Sequence, residues 1–208
     1  VNIMKFIKKM LCTLLAAMML FVLSASISCT GQKPIQTGQE AISYMENGRA
    51  VYYEVVIFSN NVEAYKWKSG NYTTAECAEI KKSVEKDYSA KELRSATTKY
   101  NCHSYAWYST SSSNKYWINS PLQYINSATF LKKQTSGFNS LPSGIKKEDR
   151  AVYRSGNTIT HSAIVNSTSS SSSYLKSKWG SWGLYTHSIK KCPYYSKYSS
   201  VSVSYYRK

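Results

Sequence analysis

The chain is expected to fold as an α+β domain, with early helices packed on a late antiparallel β-sheet. Three observations predict this. A helical repeat with its own start signal occupies residues 73–91, and a second, shorter helix-like run occupies 101–108. From Asp149 onward the pattern changes to short β-branched and aromatic runs parted by Gly- and Ser-rich turns.

Residues 1–28 stand apart from that domain. Lys5, Lys8 and Lys9 precede a weakly polar to apolar stretch of 13 residues, Leu11 to Leu23, and small residues Ser24, Ala25, Ser26 and Ser28 follow. This is the layout of a bacterial signal peptide. The apolar stretch falls short of the roughly 20 residues a membrane span needs. Export is therefore expected, with cleavage after Ser26 or Ser28 and no stable membrane span afterwards. The second site would expose Cys29 to lipid attachment, a less favoured outcome because Ser26 stands where lipoprotein signals carry Leu. Residues 29–49 are polar and without periodicity and read as a linker, leaving 50–208 as a single domain.

Within the domain, Val51, Tyr53, Val55 and Ile57 alternate, which predicts a strand over Ala50–Phe58. Thr73 followed by Glu76 is a capping-box pattern, and Cys77, Ile80, Val84 and Tyr88 then recur at helical spacing, so a helix is expected over Thr74–Lys91. That spacing turns Cys77 toward the core as a small buried thiol. Ser120-Pro121 opens a short helix through Ile125, and Gly137–Glu148 is an irregular connection. Strands are expected at Arg150–Arg154, Thr160–Asn166, Tyr174–Trp179, Leu184–Ser188 and Val201–Tyr206, with the serine run Ser167–Ser173 as an exposed hairpin tip.

The formal charge is +16, and removing residues 1–28 takes away three lysines and no acid, leaving +13. Such an excess speaks of partners and not of fold. The lysines are scattered and the chain reads as exported, so nucleic acid is not expected. An anionic cell-wall polymer is, with the protein acting as a monomer. Of Cys12, Cys29, Cys77, Cys102 and Cys192, none forms a CxxC pair, so a structural zinc site lacks its commonest signature. If Cys102 stays free, Cys77 with Cys192 is the one pairing left in the domain.

The chemistry concentrates at Cys102 and His161. Cys102 opens the helix-like run, where amide donors and the helix dipole favour a thiolate. His161, 59 residues later, stands at the mouth of a strand. Brought together, they are a nucleophile and its base. His103 adjoins Cys102, but consecutive helical residues do not face one another. Ser177 and His187 are both candidates to orient the base, with Asn166 a weaker one. The Cys102 amide, with Tyr100 or Asn101, is positioned to stabilise an oxyanion. Trp107 and Trp179 are candidate groove residues, although core packing is the ordinary role of each. Cys102, His161 and His187 would suffice as ligands for catalytic zinc. No local motif supports that, so neither metal nor cofactor is expected.

YNCHSYAWY, WINSPLQYI, AVYR, HSAIV and SKWG with a downstream histidine resemble, in that order, exported bacterial proteins of the NlpC-like superfamily and the related CHAP amidases. The resemblance spans about residues 96–195. It implies a papain-like fold, Cys102 as nucleophile, His161 as general base, and a loose match of Ser177 or His187 to the third position. It also implies hydrolysis of an amide bond in peptidoglycan. Two departures stand out: Glu148-Asp149 occupies the place of a frequent Gly-Asp, and Asn-Cys-His-Ser replaces the more usual Asp-Cys-Ser. The alternative function is an envelope-binding protein of the same fold that has lost turnover.

Overall fold

The structure, a computed structural model, describes residues 36–37, 40–44 and 50–208. The expected signal peptide, its cleavage sites, Cys12 and Cys29 lie outside the described residues, as does most of the expected linker.

The fold is α+β and its sheets are antiparallel throughout. The first sheet has the order β1-β2-β3-β4-β6, formed by β1 (Gln36–Thr37), β2 (Glu40–Tyr44), β3 (Ala50–Ile57), β4 (Glu63–Ser69) and β6 (Tyr116–Trp117). Strands β1 and β2 thus fall within the stretch expected to be a linker. The second sheet has the order β5-β11-β10-β9-β8-β12-β7. Its strands are β5 (Lys91–Arg94), β7 (Thr129–Gln134), β8 (Arg150–Ser155), β9 (Thr158–Val165), β10 (Leu175–Lys178), β11 (Leu184–His187) and β12 (Val201–Arg207).

Helix α1 (Thr74–Tyr88) begins where the capping box places it: Thr73 Oγ1 accepts from the Glu76 amide, and the Glu76 carboxylate accepts from the Thr73 amide at 2.6 Å. It ends at Ser89 in the left-handed region, three residues before the expected limit. Helix α2 (Leu122–Asn126) follows Pro121, and α3 (Pro193–Ser196) is a single turn. The helical layer is thinner than expected. Among the described residues α1 is the only long helix, because the chain before it enters the first sheet and most of the chain after it enters the second.

Both faces of the second sheet are covered. One carries Ala151, Tyr153, Ala163, Val165, Leu175, Tyr185, Val203 and Tyr205 against Val84 and Ile80 of α1 and Tyr194 of α3. The other carries Val152, Ile164, Leu184 and Tyr206 against Tyr100, Tyr105, Trp107 and Ile125. Residues 160–165 of β9 are consequently all buried, as expected for a central strand without a solvent face. No helix among the described residues is long and apolar enough to cross a membrane.

Candidate functional site

Asn101 builds the start of the 101–108 segment. Its backbone carbonyl accepts from the Tyr105 amide at 2.9 Å, and its Oδ1 accepts from the Ser104 amide at 3.0 Å, which makes it the N-cap and Cys102 the first helical residue. The same Oδ1 accepts from the Ile118 amide, while Nδ2 donates to the Ile118 carbonyl at 2.7 Å. Asn101 therefore joins the turn to the chain just after β6, and its side-chain amide is engaged there instead of at an oxyanion.

The segment then widens. Ser109 N–H bonds the Ser104 carbonyl, an i→i+5 spacing that makes Ser104–Tyr108 a π-helical turn. Its late carbonyls take cations: Arg150 Nε donates to Ala106 O at 2.7 Å and Lys208 Nζ to Trp107 O at 2.6 Å. Positive charge at that end suits the helix dipole.

Cys102 and His161 meet in the interior, both at 0 % exposure. Burial lowers the His161 pKa, the Cys102 sulfur raises it by charge and as a hydrogen-bonding neighbour, and His103 lowers it. The thiol is near enough to act on the ring, yet neither ring nitrogen makes a hydrogen bond of normal geometry. The contact is a close approach of thiol and imidazole. A depressed pKa keeps the imidazole neutral and able to accept a proton.

Aromatic rings hold the imidazole in place. Tyr194 stacks on it at 4.0 Å, 6° from parallel, and Tyr153, its cross-strand neighbour, lies at 5.5 Å. Ser177 and His187, the expected orienters, bond each other. His187 Nδ1 donates to the Ser188 carbonyl at 2.8 Å, which leaves Nε2 to accept from Ser177 Oγ at 2.7 Å. Ser177 Oγ in turn accepts from Trp179 Nε1 at 3.0 Å. Every proton in that chain is accounted for, and His187 is neutral: burial depresses its pKa to about 3. Asn166 is spent on the Ser173 carbonyl.

Trp179 and Trp107 do not line an open groove. Trp179 packs among Tyr88, Tyr185 and His187, and Trp107 donates from Nε1 to Ser162 Oγ at 3.0 Å. Both are buried because they sit on covered faces of the sheet. The same Ser162 Oγ lies 2.8 Å from His103 Nδ1, which fixes His103 to β9. Tyr100 presents its ring face to Lys178 Nζ at 5.3 Å.

Sequence reasoning passed over Lys178 and Tyr194. Lys178 is at 0 % exposure and donates to the carbonyls of Thr97 (2.9 Å), Gly180 (2.7 Å) and Trp182. In sequence it is an ordinary strand lysine, and only its place in a sheet covered on both faces makes it unusual. Tyr194 follows Cys192-Pro193 between two expected strands. Cys77, Cys102 and Cys192 are all free thiols, so the Cys77–Cys192 pairing is not formed. Cys77 is half-buried and donates from Sγ to Ala96 O at 3.4 Å. Burial pushes the Cys192 thiol up to about 12. Among the described residues no group of three or more His, Cys, Asp or Glu side chains is placed to hold a metal ion.

No family model, curated protein or solved structure matches this chain.

Proposed function

We propose that the protein is an exported cysteine hydrolase with a papain-like, NlpC- or CHAP-type fold, cleaving an amide bond in peptidoglycan peptides. The observation that carries this reading is the approach of Cys102, at the head of a short helix, to a neutral, buried His161 in the middle of a central antiparallel strand. In that chemistry the Cys102 sulfur attacks the amide carbonyl, and its proton passes through His161 to the departing amine. Water, activated by the same imidazole, then releases the acyl group.

A second feature favours the family. Glu148 has φ +69°, the left-handed region where glycine is preferred, and it occupies the place where that family often carries Gly before Asp. The net charge suits an anionic wall polymer as partner.

Full burial of both reacting groups favours a second reading, an envelope-binding protein that has lost turnover. Two measurements separate them. Digestion of purified peptidoglycan, followed by mass spectrometry of the fragments, should give new termini with the native protein and none with Cys102→Ala. Iodoacetamide at about pH 7 should label Cys102 in the folded enzyme. Labelling only after denaturation, together with unchanged wall fragments, would establish the binder instead.

A further inference from the structure

The first sheet holds neither Cys102 nor His161, yet the chain entering Cys102 is strapped to it at two points. Upstream, Tyr53 Oη of β3 donates to the Thr98 carbonyl at 2.6 Å, and Thr98 Oγ1 donates to the Gly70 carbonyl just after β4 at 2.7 Å. The Thr98 amide donates to Asn71 Oδ1 at 3.1 Å. Downstream, the Asn101 side chain exchanges two hydrogen bonds with Ile118, the residue after β6. Lys99 and Tyr100 lie between these anchors. Tyr100 is buried, whereas Lys99 is only half-buried.

The sheet face that meets this stretch is aromatic. Trp67, Tyr72 and Trp117 gather there around buried Tyr53 and Tyr65 and keep part of their surface open. Each is fixed: Trp67 Nε1 donates to the Gly70 carbonyl at 2.7 Å, Tyr72 Oη lies 2.8 Å from Ser181 Oγ, and Trp117 stands edge-on to Tyr53. Lys99 Nζ lies over the Trp67 ring, 5.0 Å from its centroid. An indole face attracts an ammonium without neutralising it. Among the described residues no carboxylate pairs with Lys99. Of the acids on β3 and β4, Glu54 is held by Lys68 at 2.6 Å and Glu63 by the Tyr65 hydroxyl at 2.7 Å. A lysine that serves only solubility needs neither a pinned backbone nor a fixed ring beneath it. Here both are in place, so little ordering remains to oppose a ligand.

We propose that Lys99, presented on Trp67, is a binding subsite for a carboxylate of the substrate, so that the site selects acidic peptides. The inference rests on the reading of Cys102 as the reacting residue and names the substrate class of that site. Lys99 precedes Cys102 by three residues, a stretch of chain that spans at most about 11 Å. The carboxylate therefore belongs to a residue close to the attacked amide. The open ring surface beside Lys99 suits the methyl groups of alanine in the same peptide.

The test uses two dye-labelled stem tetrapeptides, one with free carboxylates and one with those groups as carboxamides. Their binding to the full chain carrying Cys102→Ala, which prevents turnover, is followed by fluorescence anisotropy. The acid form should bind about fivefold more tightly, the value of one partly exposed ion pair. Adding Lys99→Met should erase that ratio by weakening the acid form alone, and Lys99→Arg should keep most of it. Lys82→Met, at an exposed position of α1, removes the same charge and should leave the ratio intact. A ratio unchanged by Lys99→Met in a chain that melts cooperatively overturns the proposal. So do equal losses from Lys82→Met and Lys99→Met, or binding of neither peptide. Native protein that holds the acid peptide through Lys99 but never cuts peptidoglycan defeats the hydrolase reading and leaves the subsite standing. Cleavage of the acid peptide that is indifferent to Lys99→Met does the reverse.

Discussion

Tyr194 lies flat on His161, ring centroids 4.0 Å apart and planes 6° from parallel. The contact orients the imidazole and also covers it, since Tyr194 retains 8 % of its surface and His161 none. A single-turn helix, α3, carries this cover. For the proposed reaction, substrate would reach His161 only past this cover.

Tyr194→Ala should therefore expose the pair. Loss of the ring is expected to lower global stability by about 3 kcal/mol, as for other large aromatic truncations. Alkylation of Cys102 should nonetheless accelerate, by about tenfold for each 1.4 kcal/mol removed from the opening step. Labelling kinetics measured well below the melting temperature check this, and an unchanged rate would show that access runs elsewhere.

His187 links the site to acid stability. Burial sets its folded pKa at about 3, against an ordinary value of 6.5. Above about pH 6.5 both folded and unfolded states are neutral there, and the full stability is present. As the pH falls toward about 3, only the unfolded state takes the proton, so stability declines across that window, by an upper bound of about 5 kcal/mol. His161 shifts in the same direction and adds to the same limb. His187→Gln should be less stable than the native protein at about pH 8 yet show a flatter decline on acidification. Urea unfolding at a series of pH values measures both.

The contrast between legible and illegible elements has a physical basis. Helix α1 announces itself through Thr73 and Glu76 because a capping box is a local device, and β9 through its apolar HSAIV run because both its faces are covered. The strands β5 and β7 escaped notice. Each lies at an edge of the second sheet and carries charge, Lys91-Glu92 in one and Lys132-Lys133 in the other, as edge strands do to deter further pairing. Cys102 and His161 are legible as residue types, although His161 stands fourth of the eight residues of β9 and not at the mouth of the strand. The bond between Ser177 and His187 depends instead on the pairing of β10 with β11 and the exact register of its strands, which no residue type announces.

Glu148 carries local strain that one substitution should relieve. A left-handed conformation costs a residue with a Cβ about 1–2 kcal/mol relative to glycine. Its carboxylate returns part of this through Lys176 Nζ at 2.8 Å, an ion pair with Glu148 half in solvent and so worth at most about 1 kcal/mol. Glu148→Gly should raise the melting temperature slightly, by a few degrees at most. A clear fall by calorimetry would mean that the Lys176 pair outweighs the backbone term.

Next to it, Asp149 is the nearly buried carboxylate that closes the sheet. Arg207 Nε and Nη2 reach its two oxygens at 2.8 Å each, and the Lys146 amide adds a third bond at 2.7 Å. Burial pushes its pKa up, but Arg207 and the Lys146 amide together hold it below the ordinary carboxylate value of 3.8. A folded pKa below the unfolded one means that the stabilisation is complete above about pH 4 and fades as the pH falls through the folded value. The Arg207 end is open to solvent, which discounts the ion pair relative to a sealed one. Asp149→Asn should cost about 2 kcal/mol at pH 7 in urea unfolding, chiefly from charged hydrogen bonds lost at a buried position. Once the pH has fallen through the folded value the native protein has itself lost that charge, so the two curves should converge. A penalty that stays constant across the range would assign Asp149 a role in shape and not in charge.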